Sequence, residues 1–372
     1  MKSAAIICEY NPFHNGHRLQ IKQARELFPE KCLIAVMSGN TVQRGDFSIF
    51  DKYERAKQAV LNGMDLVVEL PFPFSCSAGP QFAKAGVFIA SELEADTLLF
   101  GSECGDTSLL EKCSRHLASP EFEDALLKNV RSAPGISFIA HRESVYREMF
   151  GQSLPSGSND ILGIEYIKSI NSLGSTLQPL AMKRTENYTA SECRQALRIG
   201  NHKEISRLIP GDIPPMQSIG RGLEGISTFI LGYLRISEPS AKSNGIRNAL
   251  IACARSASGY TDFIDSLPTK TYTLARLRRE IIASLFDVDD SERNALPTYT
   301  VLLGANARGV KYLSELRKTS LFPVLTKHSE ASKYRISDTA QFKKAVKADS
   351  ISALTFAFPR YPMYFREPFI QK

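Results

Sequence analysis

The first twenty residues place the strongest constraint on the fold of this chain. Ala4 to Cys8 is an apolar run of strand length, Asn11-Pro12 predicts a turn, and Gly16 to Leu27 has apolar residues at helical spacing. A strand that leads through a loop into a helix N-terminus directs free backbone N–H groups at one point, which favours phosphate. The sequence therefore predicts an anion-binding junction at the start of the chain.

Two histidines flank a glycine in this junction. His14 and His17 lie three residues apart, so both imidazoles could converge on one anion, and Gly16 allows the backbone to approach it closely. The alternative is that the histidines only cap the helix or form local hydrogen bonds. Their place directly after a buried N-terminal strand favours the anion site.

Strands and helices alternate through the first half. Apolar runs at Cys32 to Met37, Asp65 to Leu70, Asp96 to Phe100 and Leu177 to Met182 predict strands, and Tyr53 to Leu61 and Gln81 to Leu93 predict helices. This order is typical of an α/β fold with a Rossmann-like, doubly wound parallel sheet, whose ligands bind at the carboxyl ends of the strands. No Walker A loop and no G-x-G-x-x-G follows any predicted strand.

The net charge of +7 is unevenly distributed along the 372 residues. Residues 1–200 carry a net charge of −2 and residues 201–372 carry +9. Helix-like spacing at Ile205 to Leu208, Ile226 to Leu234, Leu274 to Leu285 and Gly309 to Leu316 predicts helices in the second part. We therefore predict a catalytic domain over 1–200 and a mostly helical, basic domain over 201–372 that binds a polyanion. The alternative is a basic surface that only aids solubility.

Several classes of protein are disfavoured by the composition. No apolar run of about 18 residues is present, so no membrane partner is predicted. Seven scattered cysteines without a C-x-x-C pair indicate reduced thiols and a cytoplasmic location. Cys104, Cys113 and His116 lack a fourth ligand, so no metal site is predicted.

The histidine motif resembles a known superfamily signature. His14-Asn15-Gly16-His17 is similar to the H-x-G-H motif of the nucleotidyltransferases, and longer segments resemble the bacterial tRNA(Met) cytidine acetate ligases. The segments that carry this resemblance are Glu9 to His17, Ser38-Gly39-Asn40 with Gln43-Arg44-Gly45, Asp65 to Pro71, Phe100 to Glu103, Ser158 to Tyr166, Tyr299 to Leu316 and Pro323 to Lys327.

The resemblance implies a nucleotidyltransferase-type catalytic domain and a two-step reaction. ATP and acetate would form acetyl-adenylate and diphosphate. The acetyl group would then pass to the wobble cytidine of elongator tRNA(Met), giving N4-acetylcytidine and AMP. The chemistry of ATP also implies Mg²⁺, although no dedicated carboxylate cage is visible.

The resemblance also implies the residues that contact ATP, with His14 and His17 as the catalytic pair. They are Ile7, Glu9, Tyr10, Asn11, Phe13, His14, Gly16, His17, Gln20, Gly101, Asn159, Arg184, Ser191 and Arg194.

Three of these assignments have alternatives or departures. Asn159 could instead be the N-cap of a helix, and Arg184 could form a surface salt bridge. Thr189 to Arg194 fits the six-residue frame of the family's Ser-x-Thr-x-Ile-Arg loop. It departs from that loop because Cys193 replaces isoleucine and Glu192 adds a negative charge.

Contacts to RNA are predicted from basic side chains and from one glycine-bracketed loop. They are Gln43, Arg44, Arg276, Arg278, Arg279, Lys311 and Lys318. Gln43 and Arg44 could equally contact the diphosphate or lie on a mobile loop without a ligand. Phe358 to Arg366 interleaves aromatic and basic residues, which suits stacking on unpaired bases or an extended tail.

Two other functions share some of these features. A small-molecule adenylyltransferase would use the same histidine loop without needing a basic second half. A non-catalytic nucleotide-sensing RNA binder would bind ATP without consuming it. No sequence feature predicts an oligomeric state.

Overall fold

An eight-stranded, mostly parallel β-sheet organises the part of the chain that the structure describes. The computed structural model describes residues 1–133, 135–184, 188–211, 218–239, 245–269, 271–356 and 366–371. The strands are β1 (Ser3–Cys8), β2 (Cys32–Ser38), β3 (Thr41–Val42), β4 (Asp46–Phe47), β5 (Leu66–Leu70), β6 (Thr97–Ser102), β7 (Gln178–Lys183), β8 (Thr300–Ala305), β9 (Val324–Leu325) and β10 (Phe369–Ile370).

The strand order places a natural binding crevice beside β1. Neighbours in the main sheet follow the order β10-β8-β5-β2-β1-β6-β7, and β9 pairs with β8. The chain winds from β1 through β2 to β5 on one side and from β6 to β7 on the other. All pairs between these five strands are parallel. A ligand crevice therefore opens at the carboxyl ends of β1 and β6, where the strand order reverses.

Helices cover both faces of the sheet. Those of the first half are α1 (Asn15–Leu27), α2 (Lys52–Leu61), α3 (Gly79–Glu92), α4 (Thr107–Leu117), α5 (Pro120–Ser132), α6 (Phe138–Phe150), α7 (Ser158–Ser172) and α8 (Ala190–Ile199). Those of the second half are α9 (His202–Leu208), α10 (Ser227–Ile236), α11 (Gly245–Ser256), α12 (Tyr260–Asp265), α13 (Leu274–Leu285), α14 (Asp290–Asn294), α15 (Ala307–Leu316), α16 (His328–Lys333) and α17 (Ala340–Ser352).

The side chains of β1 alternate between two hydrophobic layers, one on each face of the sheet. Ile6 belongs to the layer that contains α1 and α2, whereas Ile7 belongs to the layer that contains α3 and α7. Successive residues of a strand point to opposite faces, so a strand covered on both sides is apolar throughout. All six residues of β1 are buried for this reason. The predicted doubly wound α/β fold is confirmed.

The second half is mostly helical, as predicted, but it also extends the sheet. Strand β8 pairs antiparallel with β5, and β10 pairs with β8. The sequence analysis did not identify Thr300–Ala305 as a strand. The domain boundary at residue 200 remains a prediction, with the basic half contributing strands to the sheet of the first. Within the described ranges, no helix has the length and apolar character needed to cross a bilayer.

Candidate active site

A cleft of about 810 Å³ opens at the carboxyl ends of β1, β6 and β7. Most of the residues predicted to contact the nucleotide line it: Ile7, Glu9, Tyr10, Asn11, His14, Gly16, His17, Gln20, Gly101, Asn159 and Arg184. Gln43 and Arg44 line the same cleft. The predicted crevice and the predicted histidine motif therefore coincide.

The two histidines are held in the same tautomer by backbone N–H groups. The N–H of Gly16 donates to Nδ1 of His14 at 3.1 Å, and the N–H of His14 donates to Nδ1 of His17 at 3.3 Å. Since each Nδ1 accepts a hydrogen bond, each neutral ring carries its proton on Nε2. The rings stack with their centroids 3.7 Å apart. The histidines therefore do have the local capping role, and none of the described residues accepts a hydrogen bond from either Nε2–H, which leaves both groups for a ligand.

Burial keeps both imidazoles neutral. Desolvation, followed by the positive charges of Arg184 and Arg194, lowers the pKa of His14 to about 4. Burial, then the neighbouring His14, holds the pKa of His17 well below its usual value. The site is thus built from neutral donors at a helix N-terminus, with arginines supplying the positive charge.

The segment that departs from the family's usual loop forms the start of α8. Thr189 is its N-cap, and Glu192 completes a capping box by accepting from the backbone N–H of Thr189 at 3.2 Å. Cys193 is buried in a small apolar cluster with Leu197. Both departures therefore have structural roles in the helix that carries Arg194.

Arg194 connects α8 to the histidine loop. Its Nη1 donates to the carbonyl oxygen of Asn11 at 2.6 Å, and its Nη2 donates to Oγ of Ser191 at 3.0 Å. Ser191, Arg194 and Phe13 do not line the cleft themselves. Phe13 packs edge-on against Tyr10, with ring centroids 5.0 Å apart. Phe13 and Arg194 thus contact the lining residues Tyr10 and Asn11, and Ser191 accepts from Arg194.

Arg184 extends from the end of β7 into the cleft. Its Nη2 donates to the carbonyl oxygen of Tyr188 at 3.0 Å, and it forms no ion pair with a described residue. The side chains of Arg184 and Gln20 lie in ordinary contact distance of the space above Gly101. The surface salt bridge considered from the sequence is therefore not formed within the described chain.

Arg55, which the sequence analysis missed, holds two of the loops that form the cleft. Its buried guanidinium donates to the carbonyl oxygens of Glu9 at 2.5 Å and Ser38 at 3.1 Å, and also to those of Gly39 and Phe50. Burial lowers its pKa to about 10, so the group remains a cation near neutral pH. One side chain thereby ties the ends of β1 and β2 together.

Glu103 and Asp160 form a reciprocal clasp between the end of β6 and the start of α7. Glu103 accepts from the backbone N–H groups of Asn159 at 3.1 Å and Asp160 at 3.0 Å. Asp160 in turn accepts from the hydroxyl of Ser102 and from the backbone N–H of Glu103. The N-cap of α7 is Gly157, so the predicted alternative of Asn159 as N-cap is wrong. The carboxylate of Glu103 takes over the capping role.

The hairpin that carries Gln43 and Arg44 is packed against the second half. Nη1 of Arg279 donates to the carbonyl oxygen of Gln43 at 2.9 Å, and a Cβ at Gly45 would lie 2.5 Å from the backbone nitrogen of Arg279. Gln43 is further anchored because its N–H donates to Glu9 at 2.7 Å. Helix α13 with its arginines therefore adjoins the cleft.

The other basic residues predicted to bind RNA lie elsewhere. Lys311 is on α15 and Lys318 follows it; both are exposed. This helix packs near the opposite end of the strands, where Tyr312 contacts Ser3 at the start of β1. The aromatic and basic segment from Phe358 to Phe365 lies outside the described residues.

The cleft offers no ready cage for a divalent cation. Its carboxylates, from Glu9, Glu103 and Glu192, each accept hydrogen bonds from backbone N–H groups. Among the described residues, no group of three or more histidines, cysteines and acidic residues is arranged to hold a metal ion. The side chains present do not form a Mg²⁺ site without additional ligands.

Comparisons with known proteins agree with this geometry. The family model described as HIGH Nucleotidyl Transferase matches residues 1–208 and 231–362. A tRNA(Met) cytidine acetate ligase of Caldicellulosiruptor saccharolyticus is 34% identical over 342 residues, which cover 86% of each chain. One of Thermosipho melanesiensis is 31% identical over 100% of this chain and 99% of its own.

Solved structures are similar over the whole length. Thermotoga maritima TmcAL bound with alpha-thio ATP has a TM-score of 0.89 and 29% identity, covering 100% of this chain and 99% of that chain. Its apo form has a TM-score of 0.87 and 28% identity. The resemblance recognised in the sequence is confirmed. The chain belongs to the HIGH nucleotidyl transferase family and, within it, to the tRNA(Met) cytidine acetate ligases.

Proposed function

We propose that this chain is an ATP-dependent acetate ligase that acetylates the wobble cytidine of elongator tRNA(Met). The observation that carries the proposal is the pair of Nε2–H donors of His14 and His17 at the N-terminus of α1. A relative that is matched over 99% of its own length is named tRNA(Met) cytidine acetate ligase, and a similar solved structure is bound with an ATP analogue.

In the first step, a carboxylate oxygen of acetate attacks the α-phosphorus of ATP. The bond to the β-phosphate breaks, diphosphate leaves, and acetyl-adenylate forms. Negative charge develops on the α-phosphate and on the leaving group, and donors fixed in advance stabilise it. His14, His17 and the N-terminus of α1 supply the donors, and Arg184 and Arg194 supply positive charge.

In the second step, the exocyclic amine of cytidine attacks the acetyl carbonyl. AMP leaves, and loss of one proton from the amine gives N4-acetylcytidine. The base must leave its stack to enter the cleft, and basic side chains at the rim can hold the neighbouring phosphates.

Basic side chains from three elements surround the hairpin β3–β4 and are suited to hold the RNA. Arg44 lies on the hairpin, with its Nη1 3.4 Å from Oγ of Ser191 on α8. Burial raises the pKa of Asp46 on this hairpin, and Arg278 of α13 and Arg198 of α8 both lie close enough to oppose that rise. The sequence analysis missed Arg198, which only the packing of α8 brings to this rim.

The proposed reaction also involves Mg²⁺ and has a proposed cellular location. Mg²⁺ would be bound mainly by the phosphates of ATP, since the carboxylates of the cleft are already hydrogen-bonded. Because the proposed substrate is a tRNA, we also propose a cytoplasmic location.

The proposal is tested by incubating the protein with ATP, labelled acetate and bacterial tRNA, followed by nucleoside analysis. Labelled N4-acetylcytidine is expected. Acetate-dependent release of diphosphate without labelled tRNA would contradict the acceptor and retain the adenylate step. ATP binding without any acetate-dependent turnover would contradict the proposed ligase.

A further inference from the structure

The side-chain amide of Asn159 has a fixed orientation in the cleft. Its Nδ2 donates to Oε1 of Glu103 at 2.6 Å. A carboxylate only accepts hydrogen bonds, so the nitrogen of the amide must face Glu103. Among the described residues, none donates to Oδ1 of Asn159. This oxygen is left as an acceptor on a residue that lines the cleft.

Glu103 is itself held firmly enough to impose this orientation. Both of its oxygens accept from the backbone N–H groups at the start of α7, and the clasp with Asp160 fixes the loop that carries it. Gly157 leaves room for the carboxylate, because a Cβ there would lie 2.2 Å from Oε2 of Glu103. The carboxylate therefore cannot turn away without breaking the N-terminal cap of the helix.

Asn159 lies on the side of the cleft where the base of a bound nucleotide is expected. His14 ends the loop after β1, His17 lies in the first turn of α1, and Arg194, whose positive charge attracts phosphates, lies on α8. The other side of the cleft is formed by Gly101 near the end of β6, Glu103 just after that strand and Asn159 at the start of α7. A nucleotide whose triphosphate lies at the histidines extends its nucleoside toward this second side.

We propose that Glu103 is a positioning residue that selects adenine through Asn159. With Nδ2 turned to Glu103, Oδ1 of Asn159 accepts a hydrogen bond from the amine at position 6 of the purine. A 6-oxo purine presents a carbonyl oxygen there, so two acceptors would face each other and one would remain unpaired. This inference rests on the proposed function only for the identity of the nucleotide, ATP.

The test compares the dissociation constants of ATP and ITP, which differ in the group at position 6 and the proton at N1. In the wild-type protein, ATP is expected to bind about ten- to hundredfold more tightly than ITP. In Glu103→Gln, the new amide keeps one oxygen for the helix N-terminus and donates to Oδ1 of Asn159. The Asn159 amide then presents Nδ2 to the base, so the preference for ATP is expected to fall to a few-fold or to reverse.

Control variants separate this role from a loss of structure. Glu123→Gln makes the same chemical change on the exposed surface of α5 and should keep the wild-type ratio. Asn159→Ala should weaken ATP binding and abolish the discrimination without reversing it. Thermal unfolding of each variant checks that it is folded.

Three results would overturn the inference. The first is that the wild-type protein does not discriminate between ATP and ITP. The second is that Glu103→Gln keeps the wild-type ratio of ATP to ITP affinity. The third is a Glu103→Gln effect confined to the ratio of ATP to 2′-deoxy-ATP, which would place the amide against the ribose. Because binding alone is measured, absence of acetate-dependent turnover would count against the proposed function and leave this inference standing.

Discussion

Nζ of Lys52 lies 2.6 Å from Oδ2 of Asp349, although the two residues are 297 positions apart. The same amine donates to both oxygens of Glu69 at 2.8 and 2.9 Å, and all three side chains are buried. Burial opposes the charge on Lys52, but the carboxylates of Asp349 and Glu69 outweigh it and raise its pKa. This cluster joins α2, β5 and α17, and so joins the two halves of the chain.

The buried cluster makes Lys52 a strong determinant of stability. Lys52→Met keeps much of the side-chain volume but leaves two carboxylates buried without their cation. We expect the free energy of unfolding to fall by about 3–5 kcal/mol, measured by urea denaturation. Lys343→Met, which removes the exposed pair with Asp338, should change it by less than about 0.5 kcal/mol. Equal midpoints for the two variants would contradict the role assigned to the cluster.

His17 is expected to be essential for the first chemical step. His17→Ala removes a fixed Nε2–H donor, so acetate-dependent release of diphosphate should fall at least about a hundredfold while the fold persists. His202→Ala, at the exposed start of α9, is the matched control and should retain full activity. Turnover by His17→Ala at the wild-type rate would exclude the proposed use of the histidine pair.

The neutral histidines predict a specific response to pH. His14 has a pKa of about 4 in the folded protein and about 6.5 when unfolded. As the pH is lowered, the unfolded chain therefore binds the proton before the folded chain does. The contribution of neutral His14 to the free energy of unfolding is complete above pH 6.5 and is lost as the pH falls toward 4. Nitrogen NMR of the imidazole should show a neutral, Nε2-protonated ring at pH 6. Titration of His14 near pH 6.5 in the free protein would contradict the burial argument.

The sequence predicted the five parallel strands of the first half because a strand buried on both faces is a continuous apolar run. It also predicted the cleft, because H-x-G-H follows such a strand directly. It did not predict the short strands β3 and β4, which fall in a segment read as a loop. The same reasoning could not predict that Lys52 and Arg55 are buried. On a helical pattern both resemble solvent-facing cations, and their burial depends on carbonyl and carboxylate groups that the fold brings from distant positions. The capping role of Glu103 was missed for a similar reason, since its partners lie 56 and 57 residues away.

Arg55 should affect catalysis through the loops that it holds. Arg55→Lys replaces a planar group with a compact amine that cannot span the carbonyl oxygens of Glu9, Ser38 and Gly39 at once. We expect kcat/KM for ATP to fall about tenfold or more and stability to fall by about 1–3 kcal/mol. Arg18→Lys, on the exposed face of α1, should change neither quantity. A kinetic profile of Arg55→Lys equal to that of the wild type would show that the loops do not need this support.

The arginine side chains at the rim of the cleft are predicted to hold the tRNA. Arg276 and Arg278 lie on α13, whereas Arg279 of the same helix already donates a hydrogen bond to the carbonyl oxygen of Gln43 in the hairpin. Replacing Arg276 and Arg278 by alanine should therefore weaken tRNA binding without a comparable loss of ATP binding. Each phosphate contact removed should lower the slope of log affinity against log salt by about one unit.

The lysines at the far end of the sheet provide the comparison for this prediction. Lys311→Ala with Lys318→Ala removes the same amount of positive charge as the arginine pair. If the RNA is held at the cleft, binding measured at several salt concentrations should fall less for the lysine pair than for the arginine pair. Equal losses would indicate a general electrostatic attraction to the whole basic half, because a rim contact depends on position as well as charge. A loss of ATP affinity as large as the loss of tRNA affinity in the arginine variant would instead assign α13 to the nucleotide site.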